Sequence, residues 1–413
     1  MTEPLWRLHD LRVVVPARAV SMLGDSVLSI VLLLYLQHAG IGVWPVAAIL
    51  AVESLPLVVL VGIAGHVADT YDSKSILGLA TAMQALACVA LAFTHALVGV
   101  FLLFLVIQAG QAFAGPTWTA LMPRVVGEDR IGHFAALQSG LAAVAVPVGA
   151  GLGGLLFGLT GPRTAILADA GTFALLLGAA LLVQTRRRGA KTQGHGTPTA
   201  SSSWTRLFAG FAVIRRDAIV WPMMWALAAT IVVVGGVNVA DVFLVRVSLH
   251  TSSTLYGLSE IVAAVGGAAG SVIAARFTAV ASQVKVTFAG FAVVGLGCLG
   301  AGLSPDFAVY LCFACIVGLA NTAVNATFAA VLIRRTPEAD RGKAAASLNG
   351  LAQAGMVAAL VLGGTAGQAF GPRATFVIAG LAGVAVAIGS AVLASRRAGA
   401  RRPGQEEQPE VVV

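Results

Sequence analysis

The sequence predicts an all-α membrane protein of twelve transmembrane helices arranged as two parallel six-helix repeats, and three observations carry that expectation. The 413 residues are 58% hydrophobic and only 11% charged, with a mean hydropathy of +0.90, whereas soluble proteins carry roughly 25% charged residues. Apolar runs long enough to cross about 30 Å of hydrocarbon, roughly 20 residues at 1.5 Å each, recur along the whole chain. A long stretch of the sequence also repeats itself at a constant offset of 210 residues.

In order, the runs are 13–36, 43–65, 75–94, 97–121, 134–158, 164–185, 219–245, 254–276, 284–303, 307–333, 344–369 and 374–395. The first begins after Arg12 and is too long for the apolar core of a cleavable signal, so it reads as a span. Only 186–218 breaks the rhythm. It opens with Arg186-Arg187-Arg188, continues through polar Gly194 to Ser203, and then sets Trp204, Leu207, Phe208, Phe211 and Ile214 at helical spacing among Arg206, Arg215 and Arg216. This pattern predicts a solvated linker followed by an amphipathic helix on the membrane surface over 204–216. The chain thus divides into a first half, 1–185, a linker, 186–218, a second half, 219–395, and a tail, 396–413.

Orientation follows from Lys and Arg, because basic loops stay on the cytoplasmic side. With the termini and the even-numbered gaps placed inside, all but four of the 26 basic residues lie on that side. The other face holds only Arg163, Arg246 and Arg373, and Arg18 lies within the first span. Both termini are therefore expected in the cytoplasm, with the protein multi-pass in the cell (inner) membrane.

The repeat is visible without gaps. Pro116 to Gly140 laid over Ala326 to Gly350 matches Thr117 with Thr327, Arg124 with Arg334, Glu128 with Glu338, Gly132 with Gly342 and Gly140 with Gly350. The same register pairs Leu152-Gly153-Gly154 with Leu362-Gly363-Gly364 and Gly161-Pro162-Arg163 with Gly371-Pro372-Arg373. An even number of spans separates the copies, so both enter the membrane in the same direction. Parallel halves of this kind describe transporters that hold substrate between the halves and expose it alternately to each side.

Ionisable groups inside spans are costly and mark functional sites or their partners. Asp25 in the first span and Glu53 in the second are the candidates for proton coupling or cation binding, with Arg18 as the natural counter-ion of Asp25. Asp169, in the sixth, reads as structural; Asp241 and Glu260 are lower-ranked candidates. Gln108 and Gln111 share one helix face, as do Asn321 and Asn325, and Gln111 and Asn321 are repeat equivalents. With Asn238 and Asp241 they are the candidates for lining a substrate cavity, interhelical hydrogen bonding being the equal alternative. Asn349 and Gln353 fall in the same class. Pro147, Gly149, Gly151, Gly153 and Gly154 permit close helix contact and bending, hence a gating or a packing role. In the stretch 65–74, read as a loop, Gly65 would allow a tight turn and Asp69 would sit near a helix N-terminus.

Other classes find no support. Cys88, Cys298, Cys312 and Cys315 lie in apolar runs, and the CxxC of the last two has no histidine nearby, so no disulfide framework, metal or cofactor is expected. No phosphate-binding Gly-x-x-x-x-Gly-Lys-Ser/Thr loop occurs, and no catalytic cluster has workable spacing, so neither an ATP-driven pump nor an enzyme is indicated. The net charge of +8 comes from clusters without interleaved aromatic residues, which argues against nucleic acid. The expected partners are the lipid bilayer, a small-molecule substrate and a proton, with the protein a monomer.

Gly65-x-x-x-Asp69 after the second span resembles the signature loop of the major facilitator superfamily. Its continuation through Asp72 and Lys74 is similar to the drug-efflux branch related to macrolide and enterobactin exporters. Thr70 and Ser73 stand where that family usually has basic residues, which leaves Gly65 and Asp69 a conformational role, Asp69 as a latch to a neighbouring helix. Gly24-Asp25, Asp169-Ala170 with Thr172-Phe173, and Pro337 with Arg341-Gly342-Lys343 also resemble that branch, and Pro147 with its glycines resembles the antiporter motif of proton-driven exporters. The resemblance spans essentially the whole chain and implies the major facilitator fold, with proton-coupled efflux of small amphipathic molecules by alternating access. Uptake or exchange of a polar metabolite, or a non-transporting sensor of the same fold, is the alternative.

Overall fold

A computed structural model describes residues 9–127, 130–183, 185 and 210–400, and the regular structure among them is entirely helical. Uninterrupted runs of Leu, Val, Ala and Ile favour helices in hydrocarbon because only a helix satisfies every backbone N–H and C=O within one segment. The helices are α1 (His9–His38), α2 (Val43–Val59), α3 (Val61–Thr70), α4 (Ser73–Ala92), α5 (Leu97–Val126), α6 (Ile131–Thr160) and α7 (Pro162–Leu182). They continue as α8 (Val220–Phe243), α9 (Ser253–Ala275), α10 (Val280–Leu303), α11 (Phe307–Arg335) and α12 (Arg341–Ala400). A π-helical turn, Leu244–Ser248, prolongs α8.

Ten of the described helices are long and apolar enough to cross a membrane, and α2 with α3 supplies another span, bent by 42°. The bend follows Pro56, which leaves a carbonyl of the preceding turn without its helical donor. α12 is broken at Gly371, where φ is +81°. Its apolar part, Arg341–Arg397, holds 57 residues, about 85 Å of helix and enough for two crossings. This completes the expected twelve spans. Gly161, the repeat equivalent of Gly371, has φ +82° and separates α6 from α7. Both positions need a residue without Cβ to adopt that backbone at low cost.

One local expectation is corrected. The stretch 65–74 is not a loop, because α3 runs through Gly65 and ends only at Thr70. Gly65 is therefore helical and makes no tight turn, and Asp69 lies at the C-terminal end of α3 rather than beside a helix N-terminus. Asp72 occupies the N-cap of α4 instead. Apolar continuity through Ile63, Ala64, Val67 and Ala68 outweighs the turn preference of the glycine.

The predicted amphipathic helix lies largely outside the described residues, as do Arg186–Arg188 and 401–413. Its described end, 210–215, packs Phe211 and Ile214 against Val220, Met223 and Val331.

The chain folds into two compact units. The first holds Met1–Gly196, Val239–Ala264 and Gly367–Pro372; the second holds Thr197–Asn238, Val265–Ala366 and Arg373–Val413. Within the first, α1 packs on α6 and α7, α4 packs on α5 and α7, and α2 and α3 pack on α5. Glycines show the same pairings in the second unit. Gly236 of α8 abuts Gly363 of α12, Gly266 and Gly270 of α9 abut Cys315 and Leu319 of α11, and Gly295 of α10 abuts Gly383 beyond the break in α12. The duplication is therefore one of packing as well as of sequence.

Candidate functional site

The first unit gathers the carboxylates that the sequence places inside spans. Asp25 on α1 accepts a hydrogen bond from Nε2 of Gln111 on α5 at 2.9 Å. Glu53 on α2 accepts one from the Ser29 hydroxyl of α1 at 3.1 Å. Asp169 on α7, only 1% exposed, accepts from the Thr172 hydroxyl at 2.9 Å and from the Cys88 thiol of α4 at 3.6 Å. Asp25 also interacts electrostatically with Asp169, Glu53 and Arg18, so the groups form one cluster.

Small residues bring these helices together. A Cβ at Gly24 would collide with the carboxylate of Asp169 and the side chain of Thr172, so α1 and α7 meet where glycine precedes Asp25. On α6, Gly149 and Gly153 face the backbone of α1 at Leu23 and Val27. Gly110, next to Gln111, packs on Gln84 of α4. Gln84 is itself buried and donates to the Ile107 carbonyl at 3.2 Å, tying α4 to α5.

The chemistry follows from the donors, which are an amide, two hydroxyls and a thiol, all neutral. A carboxylate charge in hydrocarbon without a contacting cation is expensive, and neutralisation removes the expense. The arrangement is thus one whose carboxylates could exchange a proton. Among the described residues no group of His, Cys, Asp and Glu could hold a metal ion.

Arg18 forms no contact ion pair with Asp25. Its guanidinium lies over the Trp118 ring, 5.4 Å from the centroid, beside a small apolar pocket that includes Val15, Phe134 and Leu141. Gln108 is half-buried. Asn321 does not copy its equivalent Gln111: its side-chain oxygen accepts from Asn325 Nδ2 at 3.4 Å along the same helix. The positions equivalent to Asp25, Glu53 and Asp169 are Gly235, Ala263 and Ala379, so this carboxylate cluster is confined to the first half. Asn238 is exposed, as are Asn349 and Gln353.

Asp241 is half-buried on α8, one residue-pair before the π-helical turn, and interacts electrostatically with Tyr256, whose hydroxyl bonds to Glu260. Gly151 and Gly154 of α6 face α9, where Gly154 meets Gly257 backbone to backbone. Pro147 lies inside α6. Four hydrogen-bonding roles are not assigned by the sequence reading: those of Ser29, Cys88, Thr172 and Tyr256. Thr172, three residues after Asp169, was findable by helical spacing; Ser29 and Cys88 resemble many small polar residues and carry no such signal.

A sequence model of the Major Facilitator Superfamily matches residues 14–245 and again 238–413, one match per half. The chain belongs to the major facilitator superfamily. No curated protein sequence matches it. Among solved structures, this major facilitator protein is similar to a bacterial homologue of the human lysosomal transporter Spinster, with a TM-score of 0.68, 14% identity and coverage of 96% of this chain and 97% of that one. It is equally similar to the nucleoside transporter NupG, at TM-score 0.68, 14% identity and coverage of 92% and 99%. A POT family transporter in complex with 5-aminolevulinic acid gives a TM-score of 0.69 at 13% identity, over 94% and 96% of the two chains. At such identities the likeness establishes the major facilitator transporter fold alone.

Proposed function

We propose that this major facilitator transporter is a proton-coupled exporter of small amphipathic organic molecules, of the drug-efflux type. It works by alternating access in the cell membrane, with both termini cytoplasmic. The observation that carries the reading is the set of three membrane-embedded carboxylates, Asp25, Glu53 and Asp169, hydrogen-bonded among the described residues by neutral groups alone. In this reading a proton carried by such a group leaves when a conformational change admits water. In this scheme Asp25 is the main proton carrier. Ionised, it accepts the Gln111 amide strongly; protonated, it accepts more weakly and loosens α1 from α5. A proton taken from outside and released inside would then move opposite to the substrate. The crowding of Lys and Arg at one end supports the orientation. The antiporter-like sequence of α6, from Pro147 to Gly154, supports export rather than uptake.

The test is proton flux in liposomes carrying a pH-sensitive dye, challenged with a panel of amphipathic cations and neutral dyes. Substrate-dependent proton movement is expected for the unaltered protein, none for Asp25→Asn, and a slower flux for Glu53→Gln. Full-rate, proton-linked flux with an unchanged pH profile in Asp25→Asn would remove the basis of the reading. Accumulation of the same dyes in cells with and without the protein decides direction.

A further inference from the structure

At the basic-poor end of the first unit, α1, α4, α5 and α7 enclose a cavity of about 120 Å³. A single water needs on the order of 10–15 Å³ by the same measure, so there is room for a group of several heavy atoms. Leu32, Leu91, Val100 and Ile166 supply apolar walls; Tyr35 and Arg163 bring a hydroxyl and a positive charge.

The repeat explains why the cavity exists. In the second half the equivalent arginine, Arg373, donates to the carbonyl of Ser304 at 2.8 Å and to that of Gly302 at 3.5 Å, closing the end of α10. Positions 92, 93 and 94 are the equivalents of Gly302, Leu303 and Ser304, and the middle one is Phe93. Its ring, which leucine lacks, draws the guanidinium of Arg163 to 4.1 Å from its centroid. Arg163 consequently makes no hydrogen bond or ion pair among the described residues. The walls differ too, since Val100 and Ile166 replace the buried rings of Tyr310 and Phe376, each 5% exposed. Of the three arginines at this end, Arg246 is also engaged, by the Thr251 carbonyl and the Gln37 amide oxygen. Arg163 alone keeps its donors unspent, and it does so at an apolar cavity level with the ends of the spans.

We propose that this cavity binds the phosphodiester headgroup of an anionic lipid from the adjoining leaflet, with Arg163 and the Tyr35 hydroxyl as donors. A guanidinium with free donors recognises a phosphate through two parallel hydrogen bonds. The apolar walls and the interfacial depth favour a membrane-borne amphiphile over a water-borne anion. The site is separate from the carboxylate cluster, and its occupation does not depend on proton coupling.

The experiment uses the full-length protein in nanodiscs of phosphatidylcholine with and without a minor fraction of phosphatidylglycerol. Bound lipid is counted by native mass spectrometry and thermal stability is read in parallel, with inorganic phosphate as a separate arm. Phosphatidylglycerol should add one tightly retained lipid and raise the melting temperature. Arg163→Gln should weaken that lipid roughly tenfold, the loss of a charge-assisted contact. Ile166→Phe, which restores the ring found in the second half and leaves Arg163 in place, should also abolish it. Equal retention in both variants, equal retention of phosphatidylcholine, or full protection by inorganic phosphate would each overturn the proposal.

Discussion

Replacing Gly24 by alanine should destabilise the protein by about 1–3 kcal/mol, the usual cost of overpacking a filled interior. The new Cβ would overlap the carboxylate of Asp169 and the Thr172 hydroxyl, and would stand 2.9 Å from Thr172 Cγ2. Neither neighbour has an easy retreat, because Asp169 is 1% exposed and bonded to Thr172 at 2.9 Å. α1 and α7 would have to part by something near 1 Å, forfeiting a sizeable share of the dispersion contacts between them. Gly178, on the same α7, has nothing within 4 Å, so alanine there should stabilise by up to about 1 kcal/mol through helix propensity. The two variants should therefore differ by roughly 1–4 kcal/mol in reversible unfolding in mixed detergent micelles. Adding Thr172→Ala to Gly24→Ala should recover part of the loss, with a coupling of about 0.5–3 kcal/mol. If Gly24→Ala and Gly178→Ala proved equally stable, the close approach of α1 and α7 would be refuted.

Two other tests address separate parts of the molecule. A Cβ at Gly257 would lie 2.7 Å from the Gly151 carbonyl oxygen and 3.1 Å from the Gly151 Cα. Gly257→Ala should thus cost about 1–3 kcal/mol, while Gly115→Ala, in open space within α5, should gain up to about 1 kcal/mol from helix propensity in the same unfolding titration. Asp217, before α8, accepts the backbone N–H groups of Ile219 at 2.8 Å and Val220 at 2.9 Å and pairs with Arg335 at 2.8 Å. Burial acts to raise its pKa, but these donors prevail and hold the carboxyl below its ordinary 3.8. A depressed folded-state value means that the stabilisation is complete above the unfolded pKa of about 3.9 and fades as pH falls through the folded value. Asp217→Ala should cost about 1 kcal/mol at neutral pH, as for a lost helix cap, and melting curves should show the deficit shrinking below pH about 4.

The twelve spans and the duplication were legible in the sequence because each follows from a one-dimensional requirement. A span needs only an apolar run as long as hydrocarbon is thick, and a repeat needs only register. Asp25 and Glu53 were legible for a similar reason, since charge inside such a run is conspicuous whatever surrounds it. Their partners were not, because these helices are apolar on nearly all sides and no face announces which neighbour it meets. Only the packing decided that Gln111 reaches Asp25 while Asn321 is engaged by Asn325 of its own helix. The same holds for Arg18, which lies over Trp118 instead of joining Asp25. Likewise Arg163 and Arg373 both end a Gly-Pro-Arg sequence, yet the first lies over the Phe93 ring beside a cavity and the second is bound to carbonyl oxygens. Hydropathy specifies how many helices cross the membrane; which side chains touch depends on helix rotation and on the space that small residues leave between them, and only the assembled bundle determines those.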